Sequence, residues 1–249
     1  MAEDGHATTL TDGAPGAGGA QAGAPGPEGA PTGGASPIVG EARWPMAVAV
    51  LVVIVLTLLL PHDLVQRPRW GVPLAEGLLL VAVMIGDPGK IDRRSRPVRT
   101  LSVTLIALLV ATTLWCTGEL IVELIRGGPA TNAAGALLAA GGIVWASTVI
   151  AFGLLYWELD SGGPAQRAHG LPACPDFAFP QQLSPELAPR DWRPRFVDYL
   201  YLGFTSATAF SPTDAMPLRS WNKIAMMAQS GISLTLLGLV IARAVNVLR

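Results

Sequence analysis

Five ionisable side chains in this sequence stand inside apolar runs, where a charge is costly unless it is paired or lies on an ion path. Glu76 falls within "GVPLAEGLLLVAVMIG", Glu119 and Glu123 stand four apart in "WCTGELIVELIR", Arg126 follows on the same side, and Arg243 lies in "LVIARAVNVL". Residues three or four apart share a helix face, so Glu119, Glu123 and Arg126 present either a path or an ion pair at a helix end. Glu76 is expected either to have an interior partner or to sit in a short span held near the surface. Arg243 is read as snorkelling, because a voltage sensor needs a repeated run of arginines within a span and none is present. The second candidate is "TSATAFSPTD", in which Thr205, Ser206, Thr208, Ser211 and Thr213 offer hydroxyls, Pro212 stiffens the backbone and Asp214 supplies a carboxylate. Such a segment either lines an ion path or is a turn whose hydroxyls bond their own helix backbone, with Asp214 as a cap or turn residue.

No enzyme is expected. The three histidines, His6, His62 and His169, have no second ligand at metal-binding spacing, and no nucleophile elbow or phosphate-cradling glycine loop follows a strand pattern, so no cofactor or metal is implied. Asp160, His169 and Cys174 share one loop, but a lone cysteine among prolines is read as a free thiol, like Cys116.

These residues must be positioned in lipid. The chain has 249 residues, of which 51% are hydrophobic and only 14% charged, against about a quarter charged in an ordinary soluble domain. Its net charge is −1 and its basic residues form no long stripe, which excludes nucleic acid as a partner. Residues 1–43 are a Gly/Ala/Pro-rich tail, too poor in apolar side chains to offset the entropy of ordering, and expected to be disordered. Apolar runs at 46–60, 71–86, 101–125 and 133–157 predict four spans in a membrane region covering 44–157. Gly135, Ala139, Gly142 and Ala146 form a small-residue face expected to meet another helix. Residues 158–195 form a polar proline-rich loop, too irregular for lipid. The C-terminal part, 196–249, holds a short apolar segment at 196–210, the hydroxyl-rich motif, and a last span at 223–248. The fold class is therefore all-α, a polytopic membrane helical bundle of about five spans plus a short pore-helix-like segment.

"DYLYLGFTSATAFSPTDAMPL" resembles the pore helix and filter of potassium channels, which read approximately T-x-x-T-T-V-G-Y-G-D-x-x-P. Thr205, Thr208, Asp214 and Pro217 fall on matching positions, and the following span corresponds to an inner helix. The filter departs from the pattern, since Ala209, Phe210, Ser211, Pro212 and Thr213 replace T-V-G-Y-G. Without glycines the backbone cannot readily build a ladder of carbonyls, and Pro212 fixes φ and removes a donor. The resemblance thus implies a channel-like protein, not K⁺-selective, in which an acidic ring of Asp214 in a homo-oligomer favours monovalent cations. Its alternative is a non-conducting scaffold or partner subunit that retains a pore-type hairpin. Across residues 44–249, "YWELDSGGP", "PDFAFPQ" and "YLYLGFTSATAFSPTD" together resemble a family of bacterial integral membrane proteins with no assigned activity. That resemblance implies a multi-pass protein of the cell (plasma) membrane, with the lipid bilayer as its first partner.

Charge asymmetry sets a puzzle. Lys90, Arg93, Arg94, Arg96 and Arg99 place the loop at 87–99 in the cytoplasm, and two further crossings return the chain there at Glu158, whereas a potassium-channel pore loop enters from outside. Either the hairpin enters from the inside, as in glutamate-receptor channels, or 196–210 crosses fully and makes six spans, or the charge rule misleads. Four spans, a pore-helix-like segment and a final span is the favoured arrangement.

Overall fold

The computed structural model describes residues 40–91, 95–127, 133–172, 174–189, 191–208 and 215–247. Ser211, Pro212, Thr213 and Asp214 lie outside the described residues, as does the tail through residue 39. Helices form where Leu, Val, Ala and Ile run on without interior proline: α1 (Trp44–Leu59), α2 (Gly71–Gly86), α3 (Arg96–Arg126) and α4 (Ala134–Leu159). Pro45 and Pro97 stand in the first turns of α1 and α3, where the missing amide costs nothing. After α4 come two short helices, α5 (Pro164–His169) and α6 (Pro180–Leu183), then α7 (Phe196–Thr208) and α8 (Ser220–Val247).

Among the described residues three helices, α3, α4 and α8, are long and apolar enough to cross a membrane. At 1.5 Å per residue, α1 and α2, with 16 residues each, reach about 24 Å, short of the ~30 Å hydrocarbon thickness. Five full spans are therefore not what length supports. The third helix begins five residues before the apolar run, because Arg96 and Arg99 can extend a helix into water while Leu101 onward fills its apolar part.

The organising element is α4, which packs against α1, α3, α7 and α8, while α2 lies on α3 and α1. Its most apolar window is 61% buried, against 22% for α8, so α4 is the centre of the bundle and α8 lies at its edge. The expected small-residue face of α4 is not what meets its neighbours: Gly135, Ala139 and Gly142 are exposed and Ala146 half-buried. The close approach is made instead by Gly141, where an added Cβ would lie 2.9 Å from the Val240 side chain, and by Gly153.

Both ends of the bundle are tied. At one, β1 (Glu41–Ala42) pairs antiparallel with β2 (Lys90–Ile91), and Arg43 donates to Asp87 at 2.7 Å in a buried ion pair. The Glu41 carboxylate also accepts from the Trp157 indole at 2.9 Å and the Phe196 amide at 2.6 Å. The start of α1, the end of α2, the end of α4 and the start of α7 thus share this end. At the other, Leu60, Leu64 and Val65 pack with Leu120, Leu124, Leu137 and Val240.

Candidate functional site

The described part of the hydroxyl-rich motif, residues 205–208, closes α7, and the start of α7 and the chain's return at Ala215 lie at one place. This helix starts at Phe196 beside Trp157, with ring centroids 6.0 Å apart, and runs back along α4. Thirteen residues carry it about 20 Å. The chain reappears at Ala215, buried in the same cluster as Phe177, Phe179 and Tyr199. There β4 (Met216–Pro217) pairs antiparallel with β3 (Phe177–Ala178) of the polar loop, and the Leu218 amide donates to the Asp176 carbonyl at 2.9 Å. Phe196 and Ala215 lie at the same end of the bundle, and α7, about 20 Å long, is by itself too short to cross ~30 Å of hydrocarbon.

The polar loop clasps the hairpin. Asp160, buried at the end of α4, accepts the Tyr199 hydroxyl on Oδ2. Its Oδ1 takes the Ser161 hydroxyl at 2.9 Å and the amides of Asp176 and Phe177 at 3.2 Å each. Asp176 accepts the Ser161 amide at 3.1 Å and pairs with Arg219 at 2.8 Å, while its carbonyl takes the Asn222 side chain at 2.7 Å. Arg167 lies over the Tyr199 ring, 5.0 Å from its centroid, and donates to the Trp157 and Asp160 carbonyls at 2.8 and 2.7 Å. Burial pushes the Glu41 carboxyl above its ordinary range, opposed by its two donors and by the charges of Arg167 and Arg195. Asp160 is thus committed to structure. The imidazole of His169 meets the Ala165 carbonyl at 2.8 Å, and Cys174 is exposed.

Deeper in, α8 braces α7. Tyr156 donates to the Gln229 side-chain oxygen at 2.7 Å, Gln229 donates to the Gly203 carbonyl at 2.8 Å, and Ser230 donates to the Ser206 carbonyl at 2.8 Å. Gln229 is fully buried, so Gln229→Leu would strand the Tyr156 hydroxyl and take from the Gly203 carbonyl the donor it has beyond its own helix. A stranded buried group costs about 1–3 kcal/mol. The expected outcome is a loss of about 2 kcal/mol, read as a lower unfolding temperature in detergent and partly restored when Tyr156→Phe is added.

Of the motif's described hydroxyls, Thr205 donates to the Tyr201 and Leu202 carbonyls at 3.1 and 3.0 Å, and Thr208 to the Thr205 carbonyl at 3.0 Å. The Ser206 hydroxyl is buried without a partner. A cavity of about 80 Å³ beside the hairpin is lined by Gln181, Asp198, Tyr201, Thr205 and Ala215 among others. Burial pushes the Asp198 carboxyl upward, against a hydrogen bond from the Arg195 amide and the Arg195 charge.

The other intramembrane candidates are dispersed. Glu76 is fully buried on α2, and neither carboxylate oxygen has a hydrogen-bond partner. The neighbouring Thr112 hydroxyl donates to the Leu108 carbonyl at 2.9 Å instead. Glu119 and Glu123 are half-buried and Arg126 is exposed, toward the far end of α3. There the Arg243 guanidinium of α8 lies against Gly127, 3.2 Å from where a Cβ would stand. That places Arg243 at a helix end, as a snorkelling residue requires.

Sequence reasoning singled out neither Glu41 and Arg167 nor Asp176 and Gln229. Only Asp176 lies in one of the quoted stretches, "PDFAFPQ", whose residues interlock here with those of "YWELDSGGP" and "YLYLGFTSATAFSPTD"; Glu41, Arg167 and Gln229 stand outside them and carry no local signal. Compared with protein-family models, curated proteins and solved structures, the chain matches none.

Proposed function

We propose that this chain is a multi-pass protein of the plasma membrane whose re-entrant hairpin, gathered with those of further copies around an axis, lines a path for small monovalent cations. The observation that carries this reading is the hairpin itself: α7 and the return to Ala215 are anchored at one end of the bundle, with α8 alongside. Lys90, Arg96, Arg99, Arg193, Arg195 and Lys223 gather at that end, while Arg67, Arg69, Arg126 and Arg243 stand at the other. The positive-inside rule therefore favours entry from the cytoplasm. Exposed small residues support assembly: Gly231, Thr235, Gly238 and Ala242 on α8, and Gly135, Ala139 and Gly142 on α4. Such faces let helix backbones approach closely in lipid. Asp198 and Asp214 supply acidic character, and the replaced filter glycines argue against K⁺ selectivity.

A second reading, a non-conducting scaffold or partner subunit, is favoured by Thr205 and Thr208, whose hydroxyls are spent on their own helix. Flux from liposomes loaded with K⁺ or Na⁺ separates the two. The conducting reading expects flux above protein-free vesicles that drops severalfold in Asp214→Asn. Absence of flux from folded, oriented protein would leave the hairpin as a scaffold.

A further inference from the structure

We infer that the cleft between the start of α1 and the polar loop binds a phosphate-bearing anion, presented as the headgroup of an acidic lipid. The cleft encloses about 800 Å³, within the range of small-molecule sites. Four cations line it: Lys90, Arg167, Arg193 and Arg195. Arg167 is only 3% exposed, and its Nη2 has no hydrogen-bond partner although Nη1 is doubly engaged. Nη2 is itself closed off from solvent, so Arg167 contributes buried positive charge behind the cleft, while the exposed Lys90 and Arg195 offer the N–H donors that phosphate oxygens match.

The lining acids cancel this charge only in part. Three carboxylates line it, Glu41, Asp191 and Asp198, against four cations; Glu41 already accepts from the Trp157 indole and the Phe196 amide, and Asp198 from the Arg195 amide at 2.7 Å, so their oxygens are engaged while one positive charge stays in excess. Lipid is favoured over a soluble anion by the rim. Trp44 and Val197 are 67% and 66% exposed, beside Trp192. Tryptophan belongs at the headgroup level, where one side is apolar and the other wet, and this is the end of the bundle where basic residues gather and anionic lipid is attracted.

The test uses the full-length protein in a neutral detergent, with its unfolding temperature followed by tryptophan fluorescence. Phosphatidylglycerol, phosphatidylcholine with the same chains, or inorganic phosphate is added. A ligand that binds only the folded state raises that temperature, and the expected shift with phosphatidylglycerol is about 3 °C or more beyond phosphatidylcholine. The excess should fall by at least half in Lys90→Gln/Arg195→Gln, two exposed positions, and persist in Lys223→Gln, at the same end but outside the cleft. Either single substitution carries the same expectation at smaller amplitude. An equal shift from inorganic phosphate would replace the lipid headgroup by a soluble anion. No excess from the acidic lipid, an excess retained in the double variant, or equal loss in Lys223→Gln would overturn the assignment.

Discussion

Gly203→Ala is expected to destabilise the protein by about 2 kcal/mol or more, although glycine-to-alanine inside a helix ordinarily gains about 1 kcal/mol. A Cβ at Gly203 would stand 2.8 Å from the Val149 carbonyl oxygen and 3.2 Å from the Gly153 nitrogen. Both are backbone atoms of the central helix, so no side-chain rotation relieves the overlap and α7 must be displaced. Gly153 faces the same crossing, with Leu200 Cα 3.1 Å from its would-be Cβ, so the two glycines seat the hairpin jointly. Overpacking costs typically about 1–3 kcal/mol and sometimes more, and Gly203→Leu exceeds what the crossing can absorb. The control is Gly77→Ala on α2, where nothing lies within 4 Å and the helix preference of alanine should dominate. Thermal unfolding in detergent reads both, with a drop for Gly203→Ala and a small rise or no change for Gly77→Ala. Equal responses would mean that the crossing is not the constraint described.

How far the sequence disclosed this arrangement depends on the range of the interaction. Apolar runs set α2 at 71–86 and the start of α7 at Phe196, because a helix needs only its own residues. Which face of α4 its own chain buries is not legible in the sequence. Small residues recur on adjacent faces, and in lipid an apolar face is acceptable whether it meets a tail or a helix, so neither polarity nor spacing distinguishes Gly135 and Gly142 from Gly141 and Gly153. The polar loop has no periodicity to betray β3, whose partner β4 lies beyond α7. The clasp is hidden for a related reason: Glu41 meets the Phe196 amide 155 positions away, and Asp160 meets Tyr199 across 39. No local pattern encodes such pairs.

The clasp gives the second large expectation, and it turns on the two oxygens of Asp160. Oδ1 accepts three donors and Oδ2 one. Asp160→Ala removes every acceptor at once, leaving the buried Tyr199 hydroxyl and the Phe177 amide unpaired, while the Asp176 amide and the Ser161 hydroxyl keep partial access to water. At about 1–3 kcal/mol for each fully stranded group, the loss should reach about 4 kcal/mol. Asp160→Asn should cost much less, about 1–2 kcal/mol. Its oxygen can remain in the Oδ1 position, and its amide nitrogen can donate to a Tyr199 hydroxyl that has turned from donor to acceptor. Tyr199→Phe deprives Oδ2 of its donor alone, so combined with Asp160→Ala it should add little, because the shared hydrogen bond has already gone. A double-mutant cycle in denaturant should therefore give a coupling of about 1.5–3 kcal/mol. Additive losses, or Asp160→Ala within about 0.5 kcal/mol of the native chain, would show that Asp160 does not hold the hairpin. With the clasp broken, the first turn of α7 loses its tie to the end of α4, and the Phe177–Ala178 strand loses a bond that aligns it with Met216–Pro217. Both arms of the hairpin are then released together, so any flux through it should fall in step with the stability lost.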